Sequence, residues 1–123
     1  MKIVKDRVPM FGWNLQIIEI ESELDIPDIK KAFSKAGMKD SFKDLELEII
    51  AEHYDGGSTF YNAGLREMII IVMQTKSKER RYNIFMHEKR HAEDVILDHE
   101  NIECMEMSAV FAGYLGELML KIL

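Results

Sequence analysis

The spacing of apolar residues changes period several times along the chain, and each change marks an element. "FGWNLQIIEIE" alternates loosely and is rich in isoleucine, which predicts a strand from about Trp13 to Glu21. "DIPDIKKAFSKAGM" switches to a helical period, with Ile29, Ala32, Phe33 and Ala36 recurring on one face. Asp25 can cap that helix, Pro27 sits early and Gly37 can close it. Leu45, Leu47 and Ile49 then alternate with acidic residues, as in a half-buried strand, although Leu45 to His53 also admits a helix. Asp55-Gly56-Gly57-Ser58 reads as a hairpin turn, because glycine admits positive φ at no steric cost. Asn62-Ala63-Gly64 punctuates the chain again before "MIIIVM", Met68 to Met73, a run suited to a well-covered strand.

The last third is helical. Ser77 is placed to cap a long helix from about Lys78 to Asp98, and Asn101 to cap a second that runs nearly to Leu123. Strands first and two consecutive helices last predict an α+β fold: a small antiparallel or mixed sheet with an N-terminal helix, then a long helix and a C-terminal helix as antiparallel neighbours. No repeat, low-complexity tract or linker interrupts the 123 residues, so residues 1–123 read as a single domain.

Composition narrows the classes of function. With 47% hydrophobic and 31% charged residues, the chain can bury a modest core. A net charge of −6 and scattered basic residues argue against a nucleic-acid partner, since phosphates need a basic face. No segment approaches the roughly 20 apolar residues that span a bilayer, so no membrane partner is expected. The single cysteine, Cys104, excludes an internal disulfide, and "MKIVKDRVPM" lacks the apolar stretch of a signal peptide; the expected location is cytoplasmic.

Chemistry concentrates in "NIFMHEKRHAEDVI", Asn83 to Ile96. On a helix, His87 and His91 lie one above the other and can offer imidazole nitrogens to one ion. Glu88 lies about 100° around the helix from His87, beside such an ion, where it could take a proton from a bound water. Ile84, Phe85, Ala92, Val95 and Ile96 form the apolar arc of this helix, with Glu88 inside it and the histidines on its edge. Lys89, Arg90 and Glu93 are expected opposite, in water. A carboxylate buried without a partner is costly, so Glu88 needs a reason for its position.

A catalytic zinc generally takes three protein ligands and keeps one position open. Asp98, about 10 Å along the axis from His91, is out of reach, whereas Asp94 could orient His91 through a hydrogen bond. The third ligand is expected from "NIECMEMSAVFAGYLGELMLKIL", where only Glu106 and Glu117 are charged between Met105 and Leu120. An antiparallel return from a turn near Glu100 would bring Glu106 level with the histidines. Glu103 would simply favour the start of the helix dipole, Glu117 would lie too far along, and Cys104 is expected to be a small core residue.

An H-E-x-x-H helix, preceded by an apolar strand and followed by a helix carrying a glutamate, resembles the zincin metallopeptidases, specifically the gluzincin branch. The resemblance covers about Met68 to Gly116 and includes "EMSAVFAGYLG". It implies His87, His91 and Glu106 as ligands of Zn2+, Glu88 as general base, and a peptide or protein substrate. It also implies that "REMIIIVM" is the strand beside the cleft, able to pair with an extended peptide. Tyr114, His99, His53 and Tyr61 are candidates for stabilising the oxyanion. The chain departs from the pattern in three ways: Lys89 and Arg90 stand between Glu88 and His91, the gap to Glu106 is short, and Val110 stands where an aspartate would brace a ligand.

Three functions compete: a zinc-dependent hydrolase, a catalytically silent zincin-like module that binds metal or a partner, and a metal-free helical core. The C-terminal helix, apolar almost all round, also suggests a homodimer through that surface.

Overall fold

The computed structural model describes residues 1–9, 11–51, 56–73 and 77–122. The fold is α+β, as the pattern predicts. Its strands are β1 (Lys2–Arg7), β2 (Asn14–Ile20), β3 (Gly57–Asn62) and β4 (Glu67–Met73). Its helices are α1 (Ile26–Lys35), α2 (Phe42–Ile50), α3 (Lys78–His99) and α4 (Met105–Leu120), with a short 3-10 turn, Glu23–Asp25, before α1.

The sheet is mixed, in the order β1-β2-β4-β3. β2 and β4 run parallel, with Ile17 opposite Ile70, while β1 and β3 pair antiparallel to their neighbours. Both inner strands are covered on both faces, which is why "MIIIVM" lacks a polar alternate. On one face Ile18, Ile20, Ile69 and Ile71 pack with Ile29, Phe33, Phe42 and Leu45 of α1 and α2. On the other, Leu15, Ile17, Met68, Ile70 and Val72 pack with Phe85, Ala92 and Ile96 of α3 and Phe111 and Leu115 of α4. The result is three layers, helices on either side of one sheet.

Several sequence expectations change in detail. Leu45 to Ile49 is helical: Phe42, Leu45 and Ile49 share the buried face at helical spacing, and Leu47 faces water at 67% exposure. A strand would have put Leu47 on the same side as Leu45 and Ile49. β1 carries no legible pattern because five of its six residues are exposed, and the backbone ladder to β2 holds it. Gly56-Gly57 is not the turn of a hairpin: Gly57 already opens β3, and Asp55 lies outside the described residues. The hairpin between β3 and β4 turns at residues 63–66 instead. β4 is an inner strand, so it has no free edge for a peptide; the edges are β1 and β3.

Asn101 adopts φ +56° and ends α3 rather than opening α4. The Asn101 N–H donates to Asp98 and the Ile102 N–H to Leu97, satisfying the last carbonyls of α3. α4 therefore starts at Met105, with Cys104 as the exposed residue before it. Its antiparallel register is fixed at both ends. Near its start, Ser108, Ala109 and Ala112 line one groove with Asp98, His99 and Ile102. Gly116 lies against Lys89, and at the far end the Arg81 Nη2 donates to the Ile122 carbonyl at 2.6 Å.

Arg81 also meets Glu19 of β2, Nε to Oε2 at 2.6 Å, where Glu19 is fully buried. The other Glu19 oxygen accepts no hydrogen bond among the described residues and has only Lys2 Nζ at 3.9 Å. One guanidinium thus joins the sheet, the start of α3 and the end of α4. Truncating one partner of a buried ion pair typically costs about 3–5 kcal/mol. Arg81→Met is therefore expected to lower unfolding stability by about 3 kcal/mol, and Arg90→Met, in an exposed pair with Asp94, by less than about 1 kcal/mol. Urea denaturation of both variants checks this, and equal losses would contradict the latch.

Candidate metal centre

α3 runs from the Ser77 cap, whose hydroxyl accepts from the Arg80 N–H at 3.2 Å, across the sheet toward β3. Phe85, Ala92 and Ile96 face the sheet and are fully buried, with Ile84 and Val95 half-buried beside them. That orientation puts Glu88 on the sheet side at 3% exposure, as its place in the apolar arc predicts. His87 and His91 lie on the adjoining open flank, both exposed.

β3 has to come close for this to happen. A Cβ at Gly57 would lie 2.8 Å from Glu88 Cγ, 2.9 Å from Ile84 Cγ2 and 3.0 Å from the Ile71 carbonyl oxygen. Only glycine lets the strand pass so near the helix. Two residues on, the Thr59 hydroxyl donates to Glu88 Oε2 at 3.0 Å and also lies 3.4 Å from the Glu88 carbonyl. The other carboxylate oxygen, Oε1, faces His87 Nε2 at 3.9 Å.

The two imidazoles meet nitrogen to nitrogen. His87 Nε2 and His91 Nε2 are 3.0 Å apart, with their rings nearly perpendicular. Two nitrogens about 2.0–2.1 Å from one tetrahedral ion would be about 3.3 Å apart, so the pair is already close to the spacing an ion imposes. His87, Glu88 and His91 each offer a ligand atom within 4.8 Å of the others. Two imidazoles and a carboxylate suit a borderline cation such as zinc.

Glu106 is not part of this group. It is exposed in the first turn of α4, where its charge favours the helix dipole, the role expected for Glu103. Lys89 faces Gly116, so Glu106 lies ten residues, about 15 Å along α4, from that level. The expectation that Glu106 is buried and level with the histidines does not hold, because α4 begins later than Asn101 would have it. Asp94 pairs with Arg90 at 3.4 Å rather than bracing His91. Lys89 and Glu93 are not in water: α4 covers them, Glu93 is 6% exposed, and they form an ion pair at 2.5 Å.

The remaining candidates separate cleanly. Tyr114 donates to Asp6 Oδ2 at 2.8 Å, and burial, together with that bond and the Asp6 charge, raises its pKa above the usual tyrosine range. It is thereby tied to β1 as a neutral phenol. His99 packs edge-on against Trp13, eight residues or about 12 Å beyond His91. His53 lies outside the described residues. Tyr61, exposed on β3, lines an open groove of about 940 Å3 with Arg90, Asp94 and Asp98 of α3 and Ser108 and Ala112 of α4. The groove is not lined by the histidines themselves, but Arg90 and Asp94 border both. Thr59 and Gly57 were missed in the sequence; a glycine opening a strand was the available signal.

No protein-family model, curated protein or solved structure matches the chain.

The close approach of β3 is testable. Gly57→Ala forces Glu88 and Ile84 away from the strand, and overpacking of this kind costs about 1–3 kcal/mol. Chemical denaturation is expected to show that loss; full retention of stability would mean that β3 does not pass so near α3.

Proposed function

We propose that the chain is a zinc-dependent hydrolase, and specifically a small metallopeptidase in which His87 and His91 hold the ion and Glu88 is the general base. The observation that carries the reading is the convergence of His87 Nε2 and His91 Nε2, 3.0 Å apart, beside a carboxylate that is 3% exposed. A bound zinc would polarise a scissile carbonyl and lower the pKa of the attacking water.

The chain's own residues supply the rest. Thr59 holds Glu88 Oε2, which leaves Oε1 free on the histidine side. From there Glu88 takes a proton from the attacking water and returns it to the leaving amine. The imidazoles stand on an open flank, with the His87 side chain 70% exposed, so the site suits a peptide or protein chain that lies across the surface. β3, the edge strand that carries Thr59 and Tyr61, is the element such a chain would meet. The cytosol is the proposed compartment, in keeping with a lone, exposed cysteine.

Elemental analysis and peptide-library cleavage test this together. The purified chain is expected to hold about one zinc, which His87→Ala and His91→Ala remove and Glu106→Gln does not. Glu88→Gln is expected to keep the zinc and to lose at least 100-fold in cleavage rate, the size of contribution a general base makes. Zinc retained with no cleavage by the wild type would favour a silent metal-binding module. No zinc after reconstitution would end the reading, and zinc lost from Glu106→Gln would return Glu106 to the ligand set.

A further inference from the structure

α4 carries a face that the fold does not use. Phe111, Leu115, Leu118 and Met119 point into the core. On the opposite side Met105, Ala109, Val110, Gly113 and Leu120 are all exposed, Met105 at 86%, Leu120 at 70% and Val110 at 52%. At about 100° per residue these fall within one broad stripe centred on Gly113. Elsewhere among the described residues, exposed Leu24 and Leu65 stand singly on separate elements, and Leu47 and Ile50 pair on α2.

Gly113 is the informative position. It lies in the interior of a helix, where glycine is the poorest residue except proline. Its φ is not in the left-handed region, and a Cβ built on it would meet nothing within 4 Å. Neither the backbone nor the packing of this chain needs a glycine there, in contrast to Gly57. A helix pressed against it from outside would. With Ala109 one turn earlier, Gly113 forms a shallow saddle that lets a second backbone come near, while Met105 and Leu120 stand as flanking knobs at either end.

The charges on the stripe choose the occupant and its direction. Exposed Glu106 and Glu117 lie near the axis of the stripe, and exposed Lys121 borders it at the far end. A parallel copy of α4 would set Glu106 against Glu106 and Glu117 against Glu117. An antiparallel copy crossing at Gly113 sets Glu106 against the other chain's Leu120 and Lys121, and Glu117 against Ala109. Every apolar knob then meets the partner's stripe and two symmetric ion pairs close its ends, the self-complementary pattern of a two-fold interface.

We propose that this face binds a second copy of the same chain, α4 against α4, antiparallel and crossing at Gly113. The interface also gives Glu106 its partner, Lys121 of the other copy. It lies on the outer side of α4, reaches the groove beside α3 only at Ala109, and does not rest on the hydrolase reading.

Sedimentation velocity of the full chain over a concentration series tests it. The wild type is expected to be a dimer that dissociates on dilution. Gly113→Leu fills the saddle from a Cβ that meets no atom of its own chain within 4 Å; it is expected to weaken association at least 100-fold while helical circular dichroism and zinc content stay unchanged. Glu106→Lys and Lys121→Glu are each expected to weaken it at least threefold, and the double exchange to restore it. A wild type that is monomeric up to its solubility limit overturns the proposal. So does a dimer indifferent to Gly113→Leu, and failure of the double exchange to restore association overturns the antiparallel register.

Discussion

A carboxylate held between a helix and an edge strand sets the geometry of this protein. Glu88 is 3% exposed, and its Oε2 takes a single hydroxyl hydrogen bond from Thr59. Burying a charge with so little compensation is unfavourable unless a cation stands near, and on the other side Oε1 approaches His87 Nε2 at 3.9 Å. Everything adjacent is arranged around that approach. Gly57 removes the side chain that would hold β3 away, the apolar arc of α3 fixes the rotation of the helix, and that rotation leaves both imidazoles in the open.

The second constraint is the register of α3 against α4. Arg81 pairs with Glu19 and caps the Ile122 carbonyl, Lys89 lies on Gly116, and Lys89 with Glu93 forms an ion pair under α4. These contacts assign α4 to closing the core beside α3, away from the histidines. They also explain why α4 could be read as buried on every side: most of its residues are apolar, yet only one face reaches the sheet and the other carries Met105, Val110 and Leu120 into solvent. Composition records how apolar a helix is and says nothing about whether its outer face is covered by the same chain.

Much of the site was legible because it is local. The four-residue spacing of His87 and His91 and the phase of Glu88 within the apolar arc depend only on helix geometry, and the burial of Glu88 follows from them. The inner strand β4 was legible for a similar reason, since coverage on both faces leaves an unbroken apolar run. What depends on tertiary contact was not. β1 is an exposed ribbon of charged residues that only its partner makes a strand. Leu45 to Ile49 fits both periods, and the position of Leu47 decided it. Asn101 suits a helix start as well as a left-handed helix end; its φ of +56° ends α3, the cap of α4 falls three residues later at Cys104, and Glu106 is out of register with the histidines. Thr59 sits 29 residues before Glu88, and nothing in the sequence couples the two.

Zinc-edge X-ray absorption on the purified chain addresses the histidine pair most directly, because it reads the ligands of the ion whether or not a substrate is known. Two imidazole nitrogens at about 2.0–2.1 Å, with oxygen completing the shell, are expected, and His91→Ala should show no bound zinc at all. A shell containing the Cys104 thiolate at about 2.3 Å, or one without imidazole scattering, would contradict a centre built on His87 and His91.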